Sequence, residues 1–229
     1  MTKAFDSFSK NYNKDLNDAL RLTGYDTCAL TKSKLIKLQA LFPELAPLHF
    51  HFLDFGCGIG NLYESVKQFF PHASYTGVDD SEESISKAQS RFGNPSLFHN
   101  LNSENWKNAQ YDLIFSAGVF HHIPHAEHKN ILKELAGLLK TNGKLVIWEH
   151  NPFNPVTQKI VNDCVFDEDA VLIYPNQIKK TMLEIPLKNI RIVYTTFFPK
   201  SLSFLNVLDP YIGWLPLGGQ YVSYGEKAE

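Results

Sequence analysis

The sequence predicts an α/β fold built on a doubly wound, mostly parallel sheet, and three observations carry that expectation. An apolar run of Phe50, Phe52, Leu53 and Phe55 stops in Gly56, Gly58 and Gly60, as a buried parallel strand does when it turns tightly into a helix. A second strand-like stretch, Ser74 to Val78, ends on Asp79, an acid about twenty residues beyond the glycines, the spacing of a nucleoside-binding βαβ unit. Strand-like and helix-like patterns then alternate along most of the remaining chain.

With 229 residues, 44% of them hydrophobic and 20% charged, the chain can bury one sizeable core, so a single domain over 1–229 is expected. It divides into a helical cap (1–46), a cofactor-binding core (47–151), and a substrate-side extension with a closing hairpin (152–229). A formal net charge of -2 lacks the basic footprint of a nucleic-acid binder. Cys28, Cys57 and Cys164 are odd in number and form no CxxC pair, so they read as reduced thiols rather than a disulfide framework or a thiolate zinc site. Neither an apolar leader nor an eighteen-residue apolar span is present, and a cytoplasmic protein without a membrane span is expected.

Residues before the first strand carry helical spacing, with Leu35, Leu38, Leu41 and Phe42 following Thr31 as an expected N-cap. Phe5, Phe8 and Tyr12 form an earlier stripe of packing type. In the glycine loop, Gly56, Gly58 and Gly60 read GxGxG, one residue tighter than the dinucleotide fingerprint G-x-G-x-x-G. That spacing opposes a nicotinamide oxidoreductase. Asp54 opens the loop with a carboxylate, which repels phosphate and attracts an ammonium or sulfonium group.

LDFGCGIGN at 53–61, followed by GVDDSEES at 77–84, resembles motif I and the acidic loop of class I S-adenosylmethionine-dependent methyltransferases. The resemblance implies a sheet order of 3-2-1-4-5-7-6 with an antiparallel last strand, S-adenosylmethionine as cofactor and S-adenosylhomocysteine as product. It implies a cofactor set of Asp54, Phe55, Gly56, Cys57, Gly58 and Gly60 in the loop, with Asp79 on the ribose hydroxyls and Asp80 beside it. Ser84, Asn100, Leu101, Ser116 and His121 complete that set, Ser84 beside the adenine. It also implies that the region holding Tyr12 folds over the pocket.

After the loop, Leu62, Val66, Phe69 and Phe70 trace a helix that starts near Asn61 and ends at Pro71. Ser81 caps the next helix, with Glu82 and Glu83 in its first turn. Ser96 to His99 forms a third strand, and the loop from Asn100 to Gln110 offers Asn100 or Asn102 to the adenine amino group. YDLIFSAG at 111–118 is the fourth strand. Its FHHIP continuation lacks the DPPY or NPPY of amino-group DNA methylases.

His121, His122, His125 and His128 show no recognised ligand pattern, so no metal is expected. Ile131 to Leu139 is a helix ending on Gly143 as a left-handed cap, and Lys144 to Trp148 a fifth strand. EHNPFNPVT at 149–157 resembles a methyltransferase subgroup linked to surface glycolipid or polysaccharide biosynthesis, which implies a small-molecule or sugar- or lipid-linked acceptor. His150 is the first candidate general base and His122 the second, because a near-neutral imidazole suits proton removal. The readings competing with methyl transfer are the oxidoreductase and a non-catalytic S-adenosylmethionine-binding module. Beyond this lie helices around 156–164 and 176–184, and strands at 190–198 and 220–224. The aromatic loop 201–219 between those strands reads as a substrate lid or as packing.

Overall fold

The computed structural model describes residues 17, 20–164 and 167–228. The stripe of Phe5, Phe8 and Tyr12 lies outside them. Seven strands form one sheet: β1 Phe50–Phe55, β2 Ala73–Asp79, β3 Phe98–Asn100, β4 Tyr111–Ala117, β5 Leu139–His150, β6 Leu187–Thr195 and β7 Gln220–Lys227. Their order is β3-β2-β1-β4-β5-β7-β6. The first five pair in parallel, and β7 runs antiparallel to both β5 and β6. This is the expected topology. Because the order reverses between β1 and β4, a crevice opens beyond the carboxyl ends of those strands.

Both faces of the sheet are covered, which is why β1 is apolar at nearly every position. Phe50 and Phe52 enter one cluster with Leu35, Leu38 and Val66, while Leu53 and Phe55 enter another with Leu132, Leu135 and Met182. The first face is covered by α1 (Thr27–Leu41), α2 (Tyr63–Phe69) and α3 (Glu82–Phe92), and the second by α4 (His125–Leu138) and α6 (Pro175–Leu183). A shorter helix, α5 (Pro155–Asp163), follows β5, and α7 (Asp209–Ile212) precedes β7.

Several boundaries differ from the expectation. α1 is capped by Asp26, whose carboxylate accepts from the Ala29 N–H, whereas Thr31 lies inside the helix and its hydroxyl donates back to the Thr27 carbonyl. α2 begins two residues past Asn61. α4 gives way to β5 already at Leu139, and the left-handed residue is Asn142 (φ 62°) rather than Gly143. Gly143 serves packing instead, since a Cβ there would stand 2.9 Å from the Lys140 and Tyr111 carbonyls. β6 runs over Leu187–Thr195, three residues earlier than read.

The segment 200–217 is ordered into 3-10 turns over Lys200–Leu208 followed by α7. Its large side chains point outward: Phe204, Val207, Tyr211 and Trp214 are each at least 70% exposed. They do not pack a core. The segment is tied to the start of α1 by Lys200 and Asp26 at 3.4 Å, and to β6 through the Tyr194 N–H, which donates to the Gly213 carbonyl. Among the described residues, no helix is long and apolar enough to cross a membrane.

Candidate active site

A cavity of about 580 Å³ lies at the reversal point, bounded by the chain leaving β1, β2 and β4. This is the size range of a small-molecule or cofactor site. Each of the three loop glycines has its own physical reason. Gly56 (φ 79°) backs onto Val119, whose methyl carbon would lie 2.2 Å from an added Cβ, and Gly60 (φ 76°) onto the Phe92 and Phe98 rings at 2.8 and 2.9 Å. Gly58 (φ 52°) alone faces open space, with nothing within 4 Å of where a Cβ would be. Two glycines therefore close the fold, and the middle one leaves room for a ligand.

Of the residues expected to meet the cofactor, Phe55, Gly56, Gly58, Asp79, Asp80, Ser84 and Leu101 line the cavity. Asp79 stands at the end of β2, where its Oδ2 accepts from the Gly58 N–H at 2.8 Å and its Oδ1 from the Ser81 N–H at 3.0 Å. The glycine loop and the acidic loop are thereby fastened to one carboxylate. Ser81 caps α3 as expected, accepting from the Ser84 N–H.

Asp54, Cys57, Gly60, Asn100, Ser116 and His121 are not on the cavity wall. Asn100 is spent locally, donating to the Asp80 carbonyl and accepting from the Asn102 N–H. Cys57 is buried and its thiol is pushed well above the usual value by desolvation and by Asp54 and Asp79, so it is inert. The Ser116 hydroxyl is buried without a hydrogen-bond partner. Asp54 lies beneath the loop, where Tyr75 donates to it at 2.7 Å. Burial lifts its carboxyl to about 7 although Tyr75 and Lys34 pull the other way. Lys34, on α1, is held below its ordinary value by burial, with Asp54 and Glu149 in electrostatic reach.

The histidines gather at the edge of this cavity. Glu149, near the end of β5, is buried; its Oε1 accepts from the Val119 and Phe120 N–H groups, and its Oε2 lies 2.6 Å from His121 Nδ1. His121 Nε2 is 3.3 Å from Asp167 Oδ1, and His122 Nε2 is 3.4 Å from the same oxygen. The ring of His150 sits 5.2 Å from that of His121. Burial pulls the His121 imidazole down, but Glu149 and Asp167 outweigh this and raise it to about 10. Burial and the neighbouring His121 charge hold His150 down at about 4, not at the near-neutral value expected from sequence. His122 lines the cavity; His150 does not.

Two contributions escaped sequence reading. Asp167 follows a helix far along the chain, and no local pattern marks it as the partner of His121 and His122. EHNPFNPVT divides into two jobs: Glu149 and His150 belong to the histidine cluster, whereas Asn151, Asn154 and Thr157 clasp the chain before β7. Asn151 Nδ2 donates to the Gly218 and Pro216 carbonyls at 2.7 and 3.1 Å, Asn154 Nδ2 to Leu217, and the Thr157 hydroxyl to Gly219.

Residues 53–145 match a family model described as a methyltransferase domain. The chain is 29% identical over 133 residues to a trans-aconitate 2-methyltransferase of Rhodopseudomonas palustris, covering 58% of this chain and 50% of that protein. It thus spans about half the length of the curated relatives it matches. A Thermotoga maritima structure, described as a possible histamine N-methyltransferase, superposes with a TM-score of 0.69 at 18% identity, covering 99% of this chain and 100% of that one. The magnesium protoporphyrin IX methyltransferase of Synechocystis, solved with S-adenosylhomocysteine, gives 0.60 at 15% identity, covering 96% and 97%. Residues 53–145 thus match a methyltransferase domain, and the chain shares the sheet order and fold of solved S-adenosylmethionine-dependent methyltransferases.

Proposed function

We propose that this chain transfers a methyl group from S-adenosylmethionine to a hydroxyl of a small-molecule or sugar- or lipid-linked acceptor. The observation that carries the reading is the open face of Gly58 beside Asp79, where nothing stands within 4 Å of an added Cβ and the backbone itself borders the cavity. Gly58 would let the nucleoside approach the main chain with Gly56 bordering the same cavity, Asp79 would accept from its ribose hydroxyls, and Ser84 and Leu101 would border the base. When bound, the cofactor supplies an electrophilic methyl carbon on a sulfonium sulfur.

The residues past β4 and β5 then orient an acceptor and exclude water. His122 is the imidazole on the cavity wall, and Asp167, 3.4 Å from its Nε2, can hold that nitrogen's proton and orient the ring. With the methyl carbon and its sulfur leaving group supplied by the cofactor, an acceptor hydroxyl held against this wall would pass its proton to His122. The curated relatives bear the name of a small organic acid as substrate, which supports a small acceptor, and the net charge of -2 disfavours nucleic acid.

Calorimetry with S-adenosylmethionine, S-adenosylhomocysteine and NAD tests the cofactor: binding of both sulfur ligands and not NAD is expected, and preference for NAD overturns the reading. A turnover screen across hydroxy acids, sugar nucleotides and lipid-linked sugars tests the acceptor. Cofactor binding without turnover on any of these would favour a binding module instead.

A further inference from the structure

We infer that His121, His150 and Asp167 form a site for a divalent first-row transition-metal ion beside the cofactor cavity. One ligand atom from each lies within 4.8 Å of the other two. They come from three separate segments: the turn after β4, the end of β5 and the chain beyond α5. His121 Nε2 and Asp167 Oδ1 are 3.3 Å apart. Two ligands ~2.0–2.1 Å from a tetrahedral ion stand ~3.3–3.4 Å from each other, so this pair already has the spacing of coordination.

An independent observation is the bracing of His121. Glu149 takes its Nδ1 at 2.6 Å and spends its other oxygen on two backbone N–H groups, so the ring is fixed with Nε2 toward Asp167. A buried carboxylate behind a histidine ligand is how proteins set the tautomer and aim of a metal-binding imidazole. Two imidazoles and one carboxylate suit Zn²⁺, Fe²⁺ or Co²⁺ better than Mg²⁺, which prefers oxygen donors and keeps its water.

Three protein ligands leave a position for an outside oxygen. The site reaches the cavity through His122, which lines it and lies 3.4 Å from the same Asp167 oxygen. On the methyl-transfer reading, on which this role rests, the ion would hold the acceptor hydroxyl and acidify it for loss of its proton to His122.

The test uses chelator-treated, dialysed protein titrated with ZnCl2 and MgCl2 by calorimetry and with CoCl2 by visible absorption. About one equivalent of Zn²⁺ and Co²⁺ d–d bands are expected, with no Mg²⁺ uptake. Asp167→Asn and His150→Gln should weaken Zn²⁺ at least tenfold, and Glu149→Gln by about 10- to 100-fold, while His72→Ala, an exposed histidine at the other end of the sheet, should change nothing. S-adenosylhomocysteine affinity measured on the same proteins reports whether each variant is folded and whether the cofactor reading stands by itself. Absence of Co²⁺ bands, or Zn²⁺ affinity equal in wild type and Asp167→Asn, overturns the site and leaves a plain ion pair between His121 and Asp167.

Discussion

The Tyr75 hydroxyl donates to Asp54 Oδ2 at 2.7 Å, joining the middle of β2 to the end of β1 beneath the glycine loop. Asp54 is 4% exposed, and burial is the largest influence on its carboxyl, raising it from 3.8 to about 7 against the pull of Tyr75 and Lys34. A folded-state value above the unfolded one means that the fold is favoured while the group is protonated. That contribution is present in full below pH ~3.8 and is lost as pH rises through about 7. Asp54→Asn keeps an acceptor for Tyr75 and removes the titration. Its melting temperature relative to wild type should therefore improve progressively between pH 5 and pH 8.5. A difference that stays flat with pH would mean that Asp54 is not held near 7.

The three glycines separate ligand binding from folding. Gly58→Ala puts a methyl group into open cavity at φ 52°, so it should cost ~1–2 kcal/mol of backbone strain and a large loss of S-adenosylhomocysteine affinity in a protein that still folds. Gly60→Ala drives a methyl to within 3 Å of two phenylalanine rings at φ 76° and should lower the melting temperature by several degrees. Calorimetry and thermal melts on both variants check this. Equal effects on both quantities would refute the division of labour.

The separate roles of the glycines show only in the fold, but much of the frame around them was open to reading from the sequence, and the remainder depended on burial. The bounds of β1, the Ser81 cap and the place of Asp79 follow from local patterns: an apolar run, a capping residue and an acid at a strand tip. The end of α4 was misplaced because β5 already begins at Leu139, and the left-handed residue within it is Asn142, not the adjacent Gly143. Asp167 was invisible because its partner His121 lies 46 positions earlier and nothing local links them. His150 was read as near-neutral because its exclusion from water and its proximity to His121 exist only in the folded chain.

Asp79 holds the Gly58 and Ser81 N–H groups and lines the cavity, so its loss should be felt at the ligand. Two hydroxyl hydrogen bonds at ~1 to 1.5 kcal/mol each predict that Asp79→Ala weakens S-adenosylhomocysteine by about 2 to 3 kcal/mol, roughly 30- to 150-fold. Unchanged affinity in a folded variant would sink the ribose assignment.

Asn151 is fully buried and donates to two carbonyls of the chain leading into β7. Asn151→Ala strips those carbonyls of their partner in a place that water does not reach, so a loss of about 1–3 kcal/mol is expected. Denaturant unfolding measures it. Since the clasp lies at the base of segment 200–217, proteolysis in that segment should also quicken, and a variant as stable and as resistant as wild type would remove the clasp from the account.

On the proposed transfer to a hydroxyl, an imidazole would take the acceptor's proton. His122 lines the cavity with Asp167 at its Nε2, whereas His150, held at about 4, is a weak acceptor for a hydroxyl proton. His122→Ala should therefore lower kcat by ~10²- to 10⁴-fold with S-adenosylhomocysteine affinity close to wild type, since a base acts on the acceptor and does not hold the nucleoside. Asp167→Asn should lower kcat as well, because it loses the group that orients His122. A fall in cofactor affinity that matches the fall in kcat would instead make His122 part of the cofactor wall. Full activity in His122→Ala would mean that positioning alone drives transfer, and the role of proton acceptor would then pass to His150 or to solvent.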